Sequence, residues 1–129
     1  MTSLEVAALW IGLNVIFLIY VSARVGMART KLKINLGDGG NDEMIRAIRT
    51  QGNYVEYAPL ALIGLLALAQ TGQGPVVIHA LGGAFLAARI AHLLGLGAGV
   101  WKAGRFVGTL GTALSLLATG GFLIWGALA

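Results

Sequence analysis

The sequence predicts an all-α fold: an integral membrane bundle of four antiparallel helices, in one domain spanning residues 1–129. Three observations lead there. The chain is 57% hydrophobic and only 11% charged, a balance that suits a bilayer better than water. Its apolar residues fall in four runs separated by short polar or glycine-rich connectors. The 20 glycines sit mostly inside or beside those runs, where small faces let helices approach closely. Cysteine is absent, which excludes disulfides and thiolate metal sites. The net charge of +4 comes from a few clustered basic residues and reads as membrane topology rather than nucleic-acid binding.

The first span covers residues 4–27, around the uncharged stretch VAALWIGLNVIFLIYVSA. Glu5 stands where a secretory leader would carry a basic residue, and no small-x-small site closes the run, so a retained span is expected. The polar segment RVGMARTKLKINLGDGGNDE follows, with LGDGGND as a loop. Asp42 is expected to cap a second helix over residues 43–70. At about 42 Å that helix exceeds the hydrocarbon layer of about 30 Å, so its first turns project into the interfacial zone. TGQGP makes a short turn, and Pro75 opens a third span over residues 75–94. After the connector GLGAGVWKAG, a fourth span covers residues 104–128, with no charge beyond Arg105.

Arg24, Arg29, Lys31, Lys33, Arg46 and Arg49 gather around the first connector, Lys102 and Arg105 around the last, and none lies in Thr71–Pro75. The positive-inside rule then places both basic connectors in the cytoplasm and both termini on the non-cytoplasmic side. Small size and minimal loops point to a bacterial inner membrane.

RTQGNYVEYAPL, residues 49–60, carries polar groups into the second span. At about 100° per residue, Arg46, Arg49, Asn53 and Glu56 fall within an arc of about 80°. Such a face turns to the bundle interior, a cavity or a partner chain rather than to lipid. For Arg46 the plain alternative is a headgroup anchor. Glu56, about four turns into the helix and three residues before Pro59, requires a partner or a proton. A structural Arg–Glu pair would also satisfy it.

Arg89 and His92 share a face of the third helix near the basic end, and Arg105 opens the fourth helix on that side. His79 lies near the opposite end as a local polar residue. The histidines and carboxylates form no metal cluster, and neither a nucleophile–histidine–acid set nor a phosphate-binding glycine loop is legible.

RAIRTQGNYVEYAPL, residues 46–60, resembles the signature of the MAPEG family, the membrane-associated proteins in eicosanoid and glutathione metabolism, through Arg46, Arg49, Gln51, Asn53, Glu56, Tyr57 and Pro59. It is especially similar to the leukotriene synthase branch. ARIAH, residues 88–92, resembles the third-helix motif of the prostaglandin E synthase branch. The resemblance implies a homotrimer of four-helix protomers that binds glutathione, as cosubstrate, between protomers. Arg49, Asn53 and Glu56 match glutathione-contacting positions, Arg89 and His92 match contacts on the third helix, and Arg29 matches a basic position near the end of the first. Arg105 is the candidate catalytic residue that activates the thiol.

The chemistry fits these residue types. Arginines pair with the carboxylates of an anionic tripeptide, and a cation beside the sulfur favours the nucleophilic thiolate. Membrane lipids surround the protein, and a small apolar electrophile would enter from them. Leu96 stands where the synthases have tyrosine, and Phe106 where the prostaglandin branch has serine, which argues against either eicosanoid product. The expected function is a membrane glutathione transferase or glutathione-dependent peroxidase. The alternatives are a non-catalytic binding or scaffold protein that retains a glutathione or lipid site, and a purely structural Arg49–Glu56 pairing that holds an oligomer together.

Overall fold

A computed structural model describes residues 1–129. It contains four long helices: α1 (Ser3–Leu32), α2 (Asp42–Gln70), α3 (Pro75–His92) and α4 (Gly104–Leu128). All four are long and apolar enough to cross a membrane. A π-helical turn, Leu93–Gly97, extends α3.

Local chemistry sets the boundaries. Thr2 and Glu5 form a reciprocal capping box at the start of α1, which satisfies amides that the helix leaves free. The helix continues past residue 27 to Leu32 and ends at Lys33, whose φ of 55° is left-handed. Arg29 and Lys31, beyond the expected end of the span, are therefore helical. The cap of α2 is Asn41, not Asp42: the Asn41 side chain accepts hydrogen bonds from the Glu43 and Met44 amides at 2.9 and 3.1 Å. Asp42 and Glu43 instead occupy the first turn, where their charges face the positive end of the helix dipole. Pro75 opens α3 as expected.

The helices run antiparallel. The Ser3 hydroxyl donates to the Gln73 carbonyl at one end, and Arg24 donates to the Gly97 carbonyl at the other. The latter, the basic end of the bundle, also carries the connector between α1 and α2. The core stacks in three layers: Val6, Leu65, Leu68 and Ile78 far from the basic end, then Val21, Tyr54, Ala61 and Phe85, then Ala28, Met44 and Ala47. In section the bundle is a rhombus. The helices α2 and α3 touch across its short diagonal, while α1 and α4 occupy the far corners and do not touch each other.

Glycine governs the α3–α4 crossing. A β-carbon on Gly108 would lie 2.5 Å from the His92 nitrogen and 2.6 Å from the Ala88 oxygen, and one on Gly104 would lie 2.5 Å from the Ala91 oxygen. The pair, spaced four residues apart, lets the two backbones meet directly. At the opposite end Gly82 leaves the space that the Trp10 indole fills, and the indole N–H donates to His79 Nδ1 at 3.2 Å.

A buried polar tie joins α1 to α2. The Tyr54 hydroxyl lies 2.9 Å from the Asn14 carbonyl and 3.1 Å from its side-chain oxygen, and both residues are buried. Tyr54→Phe is expected to cost about 1–2 kcal/mol, read as a lower midpoint in a thermal melt of the detergent-solubilised protein.

Candidate functional site

The buried face of α2 includes Met44, Ala47, Thr50, Tyr54, Ala58 and Ala61. At about 100° per residue, Glu56 points about opposite to the centre of that face, with Arg49 beside it. Both side chains are more than half exposed, at 58% for Arg49 and 52% for Glu56, and they form a loose ion pair at 3.8 Å two turns apart on the same helix. The polar stripe thus faces away from the protomer's own core. Lipid solvates a carboxylate poorly there, and within the protomer Glu56 has only the loose Arg49 pair to meet its charge.

Asn53 sits at the edge of the stripe and links it to the interior. Its Oδ1 accepts a hydrogen bond from Arg89 Nη2 at 2.7 Å. The other terminal nitrogen of Arg89 donates to Thr112 Oγ1 at 3.0 Å. Arg89 is 1% exposed, and the two bonds tie α3 to α2 and α4. With its oxygen engaged inward, the Asn53 amide is left with its nitrogen as a donor at the stripe. Thr112 passes its own hydroxyl proton to the Gly108 carbonyl at 2.7 Å, which leaves lone pairs free to receive Arg89.

His92 is also buried. Arg89 Nε and His92 Nδ1 have no hydrogen-bond partner within the protein, so this inner station retains polar capacity. Arg29, in contrast, is committed to its own connector: its Nη1 lies 2.9 Å from the Gly37 carbonyl and 3.4 Å from those of Ile34 and Asn35. Arg105 lies exposed in the first turn of α4, at the basic end, with its backbone carbonyl accepting from Thr109.

The residues expected from sequence therefore separate by depth. Arg49, Asn53 and Glu56 share the outer stripe, Arg89 and His92 stand behind it, Arg105 is exposed at the basic end, and Arg29 is held by connector carbonyls. Sequence reasoning did not anticipate Thr112 as the second partner of Arg89. A hydroxyl in an apolar run is weak as a signal, because it can always satisfy itself on its own helix. Arg24, assigned only to topology, proves to be a tie between α1 and the π-helical turn.

Two proteins named inner membrane protein YecN, from Escherichia coli strain K12 and from Escherichia coli O6:H1 strain CFT073, are each 36% identical to this chain over 90 residues, covering 70% of it and 69% of their own length. Residues 7–125 match the MAPEG family. Family match, relatives and four membrane-length helices agree, and the chain belongs to the MAPEG family.

Proposed function

We propose that the protein is a membrane glutathione transferase or glutathione-dependent peroxidase of the inner membrane, acting on a small apolar electrophile. One observation carries the reading: Arg49 and Glu56 present a charged face away from their own protomer, inside a membrane-length helix. A homotrimer supplies the missing neighbour and leaves glutathione bound between protomers.

The residue types match such a ligand. Arg49 pairs with a glutathione carboxylate, Glu56 accepts from the amine, and the Asn53 amide N–H donates to a carbonyl or carboxylate oxygen. Arg89 is a positioning residue that fixes Asn53, and His92 extends the polar station behind it. Arg29 orders the connector beside the site. Arg105, exposed on the first turn of α4, is assigned to the thiol. Its charge favours the thiolate, whose sulfur lone pair forms the S–C bond to the electrophilic carbon. The electrons of the bond broken at that carbon leave with the departing group as an anion, and the proton lost by the thiol passes to solvent.

Glu56→Gln tests the ligand assignment. Loss of a charge-assisted contact is expected to weaken glutathione binding by about 1.5–3 kcal/mol, measured by titration calorimetry in detergent micelles. Unchanged affinity would remove Glu56 from the site.

A second reading is a binding protein without turnover. Leu96 in place of the synthase tyrosine favours it, because that position then offers no hydroxyl to the sulfur. It predicts saturable glutathione binding with no conjugation across several electrophile classes. The structural reading rests on the 3.8 Å Arg49–Glu56 pair and predicts that Glu56→Gln alters assembly alone.

A further inference from the structure

A cleft of about 620 Å³ opens at the basic end between α1, the start of α2 and the π-helical turn. Arg24, Lys31 and Arg46 line it against a single carboxylate, Glu43. Lys31 is paired with Glu43 at 2.9 Å, and Arg24 donates one N–H to the Gly97 carbonyl. Arg46 is exposed and belongs to no ion pair. The far wall is small: a β-carbon on Gly97 would lie 2.9 Å from Arg24 Nη1, so the absence of a side chain there lets the guanidinium rest against the turn. The cleft therefore holds more positive than negative charge, around a concavity wide enough for a phosphate and its substituents.

A second cavity, about 170 Å³, shares Arg24, Lys31, Glu43 and Gly97 with the first. Its remaining lining is apolar: Met27, Ala28 and Ala47. These residues lie one turn nearer the membrane centre than Lys31 and Glu43, because α1 runs toward the basic end and α2 away from it. Cationic above and apolar below, the combined space matches an amphiphile rather than a free anion.

We infer that this cleft holds the headgroup of an anionic phospholipid, with the start of an acyl chain against Met27 and Ala47. Basic pockets between membrane helices bind phosphate headgroups through this combination of charge and depth. The cleft adjoins the α2 stripe but is distinct from its Arg49–Glu56 part: Arg46, one turn nearer the start of α2, lines it, whereas Arg49 and Glu56 do not.

Native mass spectrometry of the full-length protein in detergent, with dioleoyl phosphatidylglycerol or dioleoyl phosphatidylcholine added, tests the inference. Retention of phosphatidylglycerol over phosphatidylcholine is expected. Arg46→Gln should reduce that preference about fivefold. Lys102→Gln, which removes a charge outside the cleft, should not. Met27→Trp keeps every charge but fills the apolar floor, and it should lower phosphatidylglycerol retention as well. Equal losses for Arg46→Gln and Lys102→Gln would reduce the effect to general surface charge and overturn the site. Displacement by millimolar inorganic phosphate, or full retention in Met27→Trp, would overturn the lipid in favour of a free anion. Displacement by reduced glutathione would assign the cleft to the glutathione site instead. Each variant is compared with wild type at matched elution volume, so a misfolded variant is recognised separately.

Discussion

Arg105→Ala is expected to lower the reactive thiolate fraction of bound glutathione about 25-fold at pH 7, slowing conjugation, and to leave that fraction almost unchanged above about pH 9.5. A free thiol titrates near about 8.5, and an adjacent cation lowers that value by about 1–3 units. With a thiol value of about 6.5 beside Arg105, about three-quarters is thiolate at pH 7, against about 3% without the cation. The lowered value means that the advantage exists below the free-thiol value and closes as pH rises through it. Lower intrinsic nucleophilicity of the more acidic thiol trims the gain. The measurement is a pH–rate profile of the full-length protein with an apolar aryl halide, for wild type, Arg105→Ala and Arg105→Lys. Lysine retains the charge and should recover part of the neutral-pH rate. A ratio between wild type and Arg105→Ala that stays constant from acid to alkaline pH would remove thiol activation from Arg105 while leaving glutathione binding in place.

Gly108→Ala is expected to force α3 and α4 apart through a single added methyl. The added carbon would meet the His92 nitrogen and the Ala88 oxygen, and these are backbone atoms that no rotamer change can move. Helices α3 and α4 must separate, at a cost of about 1–3 kcal/mol or more, and Thr112, one turn along α4, moves away from Arg89 with them. Gly120→Ala serves as the comparison, because nothing in the chain lies within 4 Å of its added carbon. A drop in thermal midpoint confined to Gly108→Ala supports the backbone-contact account, whereas equal shifts would attribute both to helix propensity. Because Arg89 bonds Asn53 as well as Thr112, Gly108→Ala should also weaken glutathione binding.

The four helices were legible because the bilayer imposes a coarse requirement: a long uninterrupted apolar run has few other fates. Pro75 and the glycine-punctuated connectors marked the breaks correctly. Finer choices were not legible. Asn41 and Asp42 are adjacent and both suited to capping, and the hydrogen-bond geometry rather than composition selects Asn41. The helical wheel placed Arg49, Asn53 and Glu56 on one face, but it does not say whether that face looks inward or outward. Only the packing of Met44, Tyr54 and Ala61 against the other helices shows that Glu56 looks away from the core. Depth was likewise hidden on α3, where Arg89 and His92 share a face that closes inside the bundle.

The rhombic section gives the protein a built-in reporter. Within one chain α1 and α4 never meet, and the chain contains no cysteine of its own. Any oxidative crosslink formed after placing one cysteine on each of these two helices must join two different molecules. A ladder of crosslinked species on a denaturing gel would then report whether the chain assembles and into how many copies, with no background to subtract from pairs inside a single subunit.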